Sequence, residues 1–254
     1  MNTEALGGKA ARNRFGLTGG VVISIALLLL FLVIIWSAIR TARAAAKRST
    51  CVCRLKQLGI AFSNYHDANG CFPPAYFADA DGRPMHSWRV ILLPFIETED
   101  SKELYQKYDF SEPWNGPHNA LLADKMPDLY RCSEDPADSS DASYMAVVGA
   151  PTVWPFAQTT VSRSIVDGLS NTIMLVEVAD SGVNWLEPRD LTFEEAVKGI
   201  NSSNSKHGIS SHHAGGANFL FCDGSVHFLQ DNIPLDLLRG LLTRAGGEIV
   251  QIPD

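Results

Sequence analysis

Val21-Val-Ile-Ser-Ile-Ala-Leu-Leu-Leu-Leu-Phe-Leu-Val-Ile-Ile-Trp36 is the stretch on which the fold turns. It sits inside a run without any charged residue, from Phe15 to Ile39, bounded by Arg14 and Arg40. A bilayer core of roughly 30 Å is crossed by about 20 helical residues, so the run is long enough to span it. A buried core helix is rarely apolar on every face over such a length. A cleaved signal peptide has a shorter apolar region, about 7–15 residues, followed by a small-x-small site. Here the run ends on Ile34, Ile35 and Trp36, and a tryptophan there suits the lipid–water boundary. The reading is an uncleaved transmembrane helix over 17–39, with the lipid bilayer as the partner of Leu17–Ile39 and a basic tail over 1–16.

Working outward, the helix does not stop at the membrane. Ala38 to Arg48 is rich in strong helix formers and has neither Gly nor Pro. Leu55, Leu58, Ala61, Phe62 and Tyr65, with Ile60 fitting weakly, then recur at three- and four-residue spacing. Asn69-Gly70 is a C-terminal stop signal and Pro73-Pro74 prevents resumption. One helix from about Leu17 to Ala68 is expected, on the order of 75 Å long. Gly59 softens it without breaking it.

Charge divides the chain at the same place. Residues 1–48 carry seven Lys/Arg and one acid, whereas 49–254 carry fourteen Lys/Arg and twenty-seven acids, giving the overall −7. The basic end suits anionic lipid headgroups. The acidic remainder excludes nucleic acid as a partner, because phosphate binding needs a basic surface. Orientation is less decided by charge. Lys9, Arg12 and Arg14 precede the span, and Arg40, Arg43, Lys47 and Arg48 follow it, a count that slightly favours the large domain inside. Long domains, however, translocate with little regard to flanking charge.

Beyond residue 70 the chain reads as short elements between polar loops. Trp88 to Ile96 is a short helix or strand, Glu103 to Tyr108 a helical turn or two, and Asn119 to Met126 a short helix with Asn119 as cap. Ser143 to Gly149 and Thr172 to Val178 are strand-like. Ala217 to Leu229 is a hairpin around Asp223-Gly224, and Pro234 to Leu242 a last helix. The sum is α+β: a long N-terminal helix packed on a small antiparallel β-sheet with loop insertions.

A resemblance adds to this. Cys51-Val-Cys-Arg-Leu-Lys-Gln-Leu-Gly-Ile-Ala-Phe-Ser-Asn-Tyr-His-Asp-Ala-Asn-Gly-Cys-Phe-Pro-Pro, Ser87 to Glu97, Glu112-Pro-Trp-Asn and Ile165 to Glu177 resemble, in order, the DUF1559 family, abundant in planctomycete bacteria. His213, followed by nine residues and then Asp223-Gly224, is similar to that family's H-x9-DG element, associated with prepilin-type processing. The resemblance implies a pilin-like or pseudopilin-like architecture, an N-terminus in the cytoplasm and residues 40–254 as an extracytoplasmic, periplasmic or cell-surface domain. It departs from the family at the leader. No Glu stands near the start of the apolar run, where pilin processing and filament assembly use one. A stand-alone anchor is expected, not a pilus subunit.

For chemistry, the residues offer little. The cysteines are Cys51, Cys53, Cys71, Cys132 and Cys222, an odd number that leaves at least one unpaired. Cys51 and Cys53 point in different directions on a helix, making them poor partners and poor metal ligands by spacing. Cys71 and Cys132, both beside loops, are the candidate disulfide, consistent with an oxidising compartment. His207, His212, His213 and His227 cluster with Asp223 in sequence, but a hairpin turn accounts for Asp223 and Gly224 without a metal. Asp79-Ala-Asp-Gly has only part of a calcium loop. No Gly-x-Ser-x-Gly, P-loop or dinucleotide fingerprint occurs. No catalytic residue, metal or cofactor is expected. The expected function is a membrane-anchored structural or interaction protein with partners at the cell surface. An anchored solute-binding domain is the first alternative, and a metal-dependent hydrolase using the C-terminal histidines the second.

Overall fold

A computed structural model describes residues 7–203 and 207–247, with the side chains of 7–21 excepted. Contacts divide the chain into two units, 1–46 and 47–254. The basic tail 1–16 therefore lies partly outside the described residues.

One helix, α1 (Gly7–Asn69), runs through both units. Nothing in its sequence interrupts it until Gly70, which takes φ 74° and ends it. In the first unit every described side chain from Val22 onward is exposed, including Leu27 to Trp36 on all faces of the helix. The stretch from Val22 is long and apolar enough to cross a membrane. In the second unit the same helix is one-sided. Cys51, Leu55, Leu58, Ala61 and Phe62 are buried while Ile60 is exposed. That stripe is the inner face of the domain, as the three- and four-residue spacing predicts.

The second unit then builds a sheet on this stripe. The elements follow as β1 (Tyr76–Ala78), β2 (Pro84–Ser87), α2 (Trp88–Leu92), α3 (Glu99–Lys107), β3 (Tyr144–Met145), β4 (Val147–Val148), β5 (Ile173–Glu177), β6 (Leu191–Thr192), α4 (Phe193–Ala196), β7 (Gly216–Phe221), β8 (Val226–Gln230) and α5 (Leu235–Leu242). The main sheet has the order β3-β5-β7-β8, antiparallel throughout. β1 and β2 form a separate hairpin. β4 and β6 pair in parallel, an exception to the antiparallel expectation. β4 lies inside the strand-like stretch Ser143 to Gly149, whereas β6 is two residues long, too short for any alternation to reveal it.

The β7–β8 hairpin turns at Asp223-Gly224, where Gly224 has φ 83° and Asp223 Oδ1 accepts the Ser225 amide at 2.9 Å. Gly59 has a packing reason. A Cβ there would come within 3.1 Å of Leu220 Cδ1 and 3.2 Å of the Gly224 backbone, so its bareness lets α1 approach this turn. Phe62 fills the space beside it, with ring centroids 5.4 Å from Trp88 and 5.6 Å from Trp154.

One sequence expectation changes here. Asn119 does not cap a helix; residues Asn119–Leu122 form one 3-10 turn. Its buried side chain accepts the Asp109 amide and donates to the Asp109 and Pro113 carbonyls, tying a loop together. Asp79 closes the β1–β2 turn, accepting from the Asp81 and Arg83 amides and from Arg83 Nε.

Candidate functional site

Four distant segments meet at one buried point. The inner stripe of α1 supplies Cys51, four residues before Leu55. Cys132 follows a 3-10 turn over Asp128–Tyr130, its amide donating to Ser143 Oγ at 2.7 Å. Ser143 in turn donates to Asp135. Glu177 ends β5, whose five side chains are all buried. His213 stands just ahead of β7, its amide donating to Ser211 Oγ.

The ligand-type atoms of Cys51, Cys132, Glu177 and His213 all lie within 4.8 Å of one another. Cys51 Sγ is 3.1 Å from Cys132 Sγ. Cys132 Sγ is 3.6 Å from His213 Nε2, which is 3.7 Å from Glu177 Oε1. The pairing of β5 with β7 aims the carboxylate: Glu177 Oε2 accepts the Asn218 amide at 2.8 Å and Ser211 Oγ at 2.9 Å, and Oε1 accepts Asn218 Nδ2 at 3.0 Å. The Ser133 amide donates to Cys51 Sγ at 3.2 Å.

Charge is concentrated here. A hydrogen bond from Cys132, resisted by burial and helped by His213 and Ser133, holds the Cys51 thiol far below its ordinary range. The same bond and burial push the Cys132 thiol up. Burial also lifts Glu177, against the donors from Asn218 and the neighbouring His213. Burial draws His213 down, yet the Cys51 sulfur and the Glu177 carboxylate outweigh it and the imidazole is raised.

The arrangement places the sequence-predicted residues as follows. Of the candidate disulfide pair, Cys132 faces Cys51, while Cys71 Sγ points to the Asn69 carbonyl at 3.7 Å. Cys51 is a poor partner for its neighbour Cys53, which is exposed, but its true neighbours come from elsewhere in the chain. A four-donor cluster of metal-ligating type exists where none was expected. Of the clustered histidines, only His213 joins it. His212 Nε2 lies 3.2 Å from Asp135 Oδ1 at the margin, and His227 on β8 contacts Ser225 and the Phe221 ring. The two ends of the His213…Asp223-Gly224 element therefore do different things: one enters the cluster, the other turns a hairpin.

A second feature is a cleft of about 380 Å³ between α1 and the β7–β8 turn. Phe62, Phe72 and Phe221 line it together with His66 and Ser162, whose polar side chains meet at 2.5 Å.

A family model described as a protein of unknown function, DUF1559, matches residues 40–161 and 189–236. The chain belongs to the DUF1559 family. No curated protein and no solved structure matches it. Within this DUF1559 chain the matched segments contain Cys51, Cys132 and His213, and Glu177 falls between them.

Proposed function

We propose that this DUF1559 chain is a single-pass membrane protein whose domain is displayed outside the cytoplasm as a non-catalytic structural or interaction element. One observation carries the reading: a single helix is apolar and exposed on all faces from Val22 to Ile39, and apolar and buried on one face from Cys51 to Tyr65. The first half matches what lipid solvates, the second what a sheet covers. Pilins and pseudopilins combine an anchor with a domain spine in this way. Without a Glu at the start of the apolar run, the helix serves as a stand-alone anchor.

The cleft beside Phe62 favours a second reading, an anchored solute-binding domain. Its volume falls at the small end of ligand sites, and it has aromatic walls with a few convergent polar groups.

Protease shaving of intact cells tests the display. The expected result is loss of the domain while the anchor fragment stays with the membrane through alkaline carbonate extraction. A domain protected until lysis, or a chain released by carbonate, overturns the proposal.

A further inference from the structure

We infer that Cys51, Cys132, Glu177 and His213 form a closed structural zinc site that fastens α1 to the main sheet. The inference holds on either side of a membrane and does not depend on the domain's display.

The donor set is the first argument. Two sulfurs, one imidazole nitrogen and one carboxylate oxygen are a borderline-soft combination suited to zinc and unsuited to calcium or magnesium, which take oxygen. The spacing is the second. Bonds of about 2.0–2.3 Å in a tetrahedron put donors roughly 3.4–3.8 Å apart. The observed edges are 3.1 Å between the sulfurs, 3.6 Å from sulfur to nitrogen and 3.7 Å from nitrogen to oxygen. These are three of the six edges, and all six are within 4.8 Å; the sulfur–sulfur edge would open by roughly 0.7 Å to seat an ion.

Charge balance is the third. Glu177 is 2% exposed and faces the sulfurs in a chamber sealed by protein. Asn218, Ser211 and His213 offset part of the cost of burying its charge, and the two buried thiols beside it add further acidic groups that a cation would balance. A disulfide between Cys51 and Cys132 would neutralise the sulfurs and still leave Glu177 and His213 beside an uncharged bond. A divalent cation uses all four groups at once. Outer contacts already fix the donors as a ligand shell requires: Asn218 and Ser211 orient Glu177, the Ser133 amide addresses Cys51, and Ser143 holds the Cys132 backbone. Glu177 Oε1 accepts one hydrogen bond from Asn218 and keeps a second lone pair for the ion.

All four donors are buried and all four corners come from protein. Catalytic zinc keeps an open position for water, so this geometry is structural and speaks against a hydrolase built on His213. The ion would join segments 81 residues apart, between Cys51 and Cys132 and again between Cys132 and His213.

The test uses the full chain, purified in detergent with reductant and without chelator. Elemental analysis is expected to find one zinc per chain, and cobalt exchanged into the site is expected to give a thiolate-to-cobalt charge-transfer band. Cys51→Ser and Cys132→Ser are expected to lose the metal, while Cys71→Ser and Cys222→Ser keep it. Glu177→Gln, which preserves shape and both sulfurs, is expected to retain the band with affinity weakened by more than the roughly tenfold that loss of an outer contact costs. A metal-free protein that takes up neither zinc nor cobalt overturns the inference. So does recovery of Cys51 and Cys132 joined as a disulfide, or zinc retained equally by all the cysteine variants.

Discussion

Arg89 holds Nη2 2.7 Å from Asp190 Oδ1, with both side chains sealed from solvent. Asp190 also accepts Trp88 Nε1 and the Ala146 amide, and Arg89 reaches the Tyr144 carbonyl. The pair thus joins α2 to the β3–β4 segment and the entry to β6. Burial raises the Asp190 carboxyl, and the guanidinium opposes that rise. Removing one partner leaves the other charge buried alone. Asp190→Ala is expected to cost about 3–5 kcal/mol of stability in urea unfolding of the full chain in detergent. The double variant Arg89→Ala with Asp190→Ala should cost less than the sum of the two singles. Additive losses would show that the charges are not coupled.

Phe62 tests the spine. It is buried against Trp88 and Trp154, so Phe62→Ala is expected to cost about 3–5 kcal/mol. Ile60, two residues away and 58% exposed, should tolerate Ala within about 0.5 kcal/mol. Equal effects at the two positions would mean that α1 does not present this face to the domain.

Gly216 opens β7, where a Cβ would run into the Leu229 carbonyl oxygen of β8. Gly216→Ala is expected to cost about 1–3 kcal/mol, read as a lower urea midpoint with an unchanged slope. An unaffected midpoint would contradict the close approach of these strands.

Much of this fold is legible because its signals are local. The charge-free run, the stripe from Leu55 to Tyr65 and the Asp223-Gly224 turn each need only neighbours in sequence. The nine-residue gap between His213 and Asp223 is also readable in retrospect: it is β7 with its flanks. The cluster was hidden because its members depend on strand pairing and long loops. Proximity in sequence drew His207, His212 and His227 together with His213, although only His213 turns inward to the sulfurs. Two signals pointed the right way. Cys51 continues the buried stripe, and Glu177 is a lone charge closing an otherwise apolar strand.

His86 gives a pH signature away from the cluster. Burial lowers its pKa below 6.5, only partly offset by the Phe110 backbone and Asp109. Its Nδ1 lies 2.9 Å from Tyr108 Oη, and its ring packs against Tyr108 and Phe110. The unfolded chain therefore binds this proton more readily. The contribution is complete above pH 6.5 and is lost as pH falls from there through the folded-state value. The slope cannot exceed about 1.4 kcal/mol per pH unit. His86→Gln is expected to flatten stability across that window; an unchanged slope would assign the effect elsewhere.

Cys53 offers the most direct test of display beyond the membrane. It lies exposed on the outer side of α1, past the apolar span, while Cys51 and Cys132 are buried. In spheroplasts carrying the chain with Cys71→Ser and Cys222→Ser, a charged, membrane-impermeant maleimide is predicted to modify Cys53 before lysis. Modification that appears only after lysis would put the domain in the cytoplasm and contradict the account.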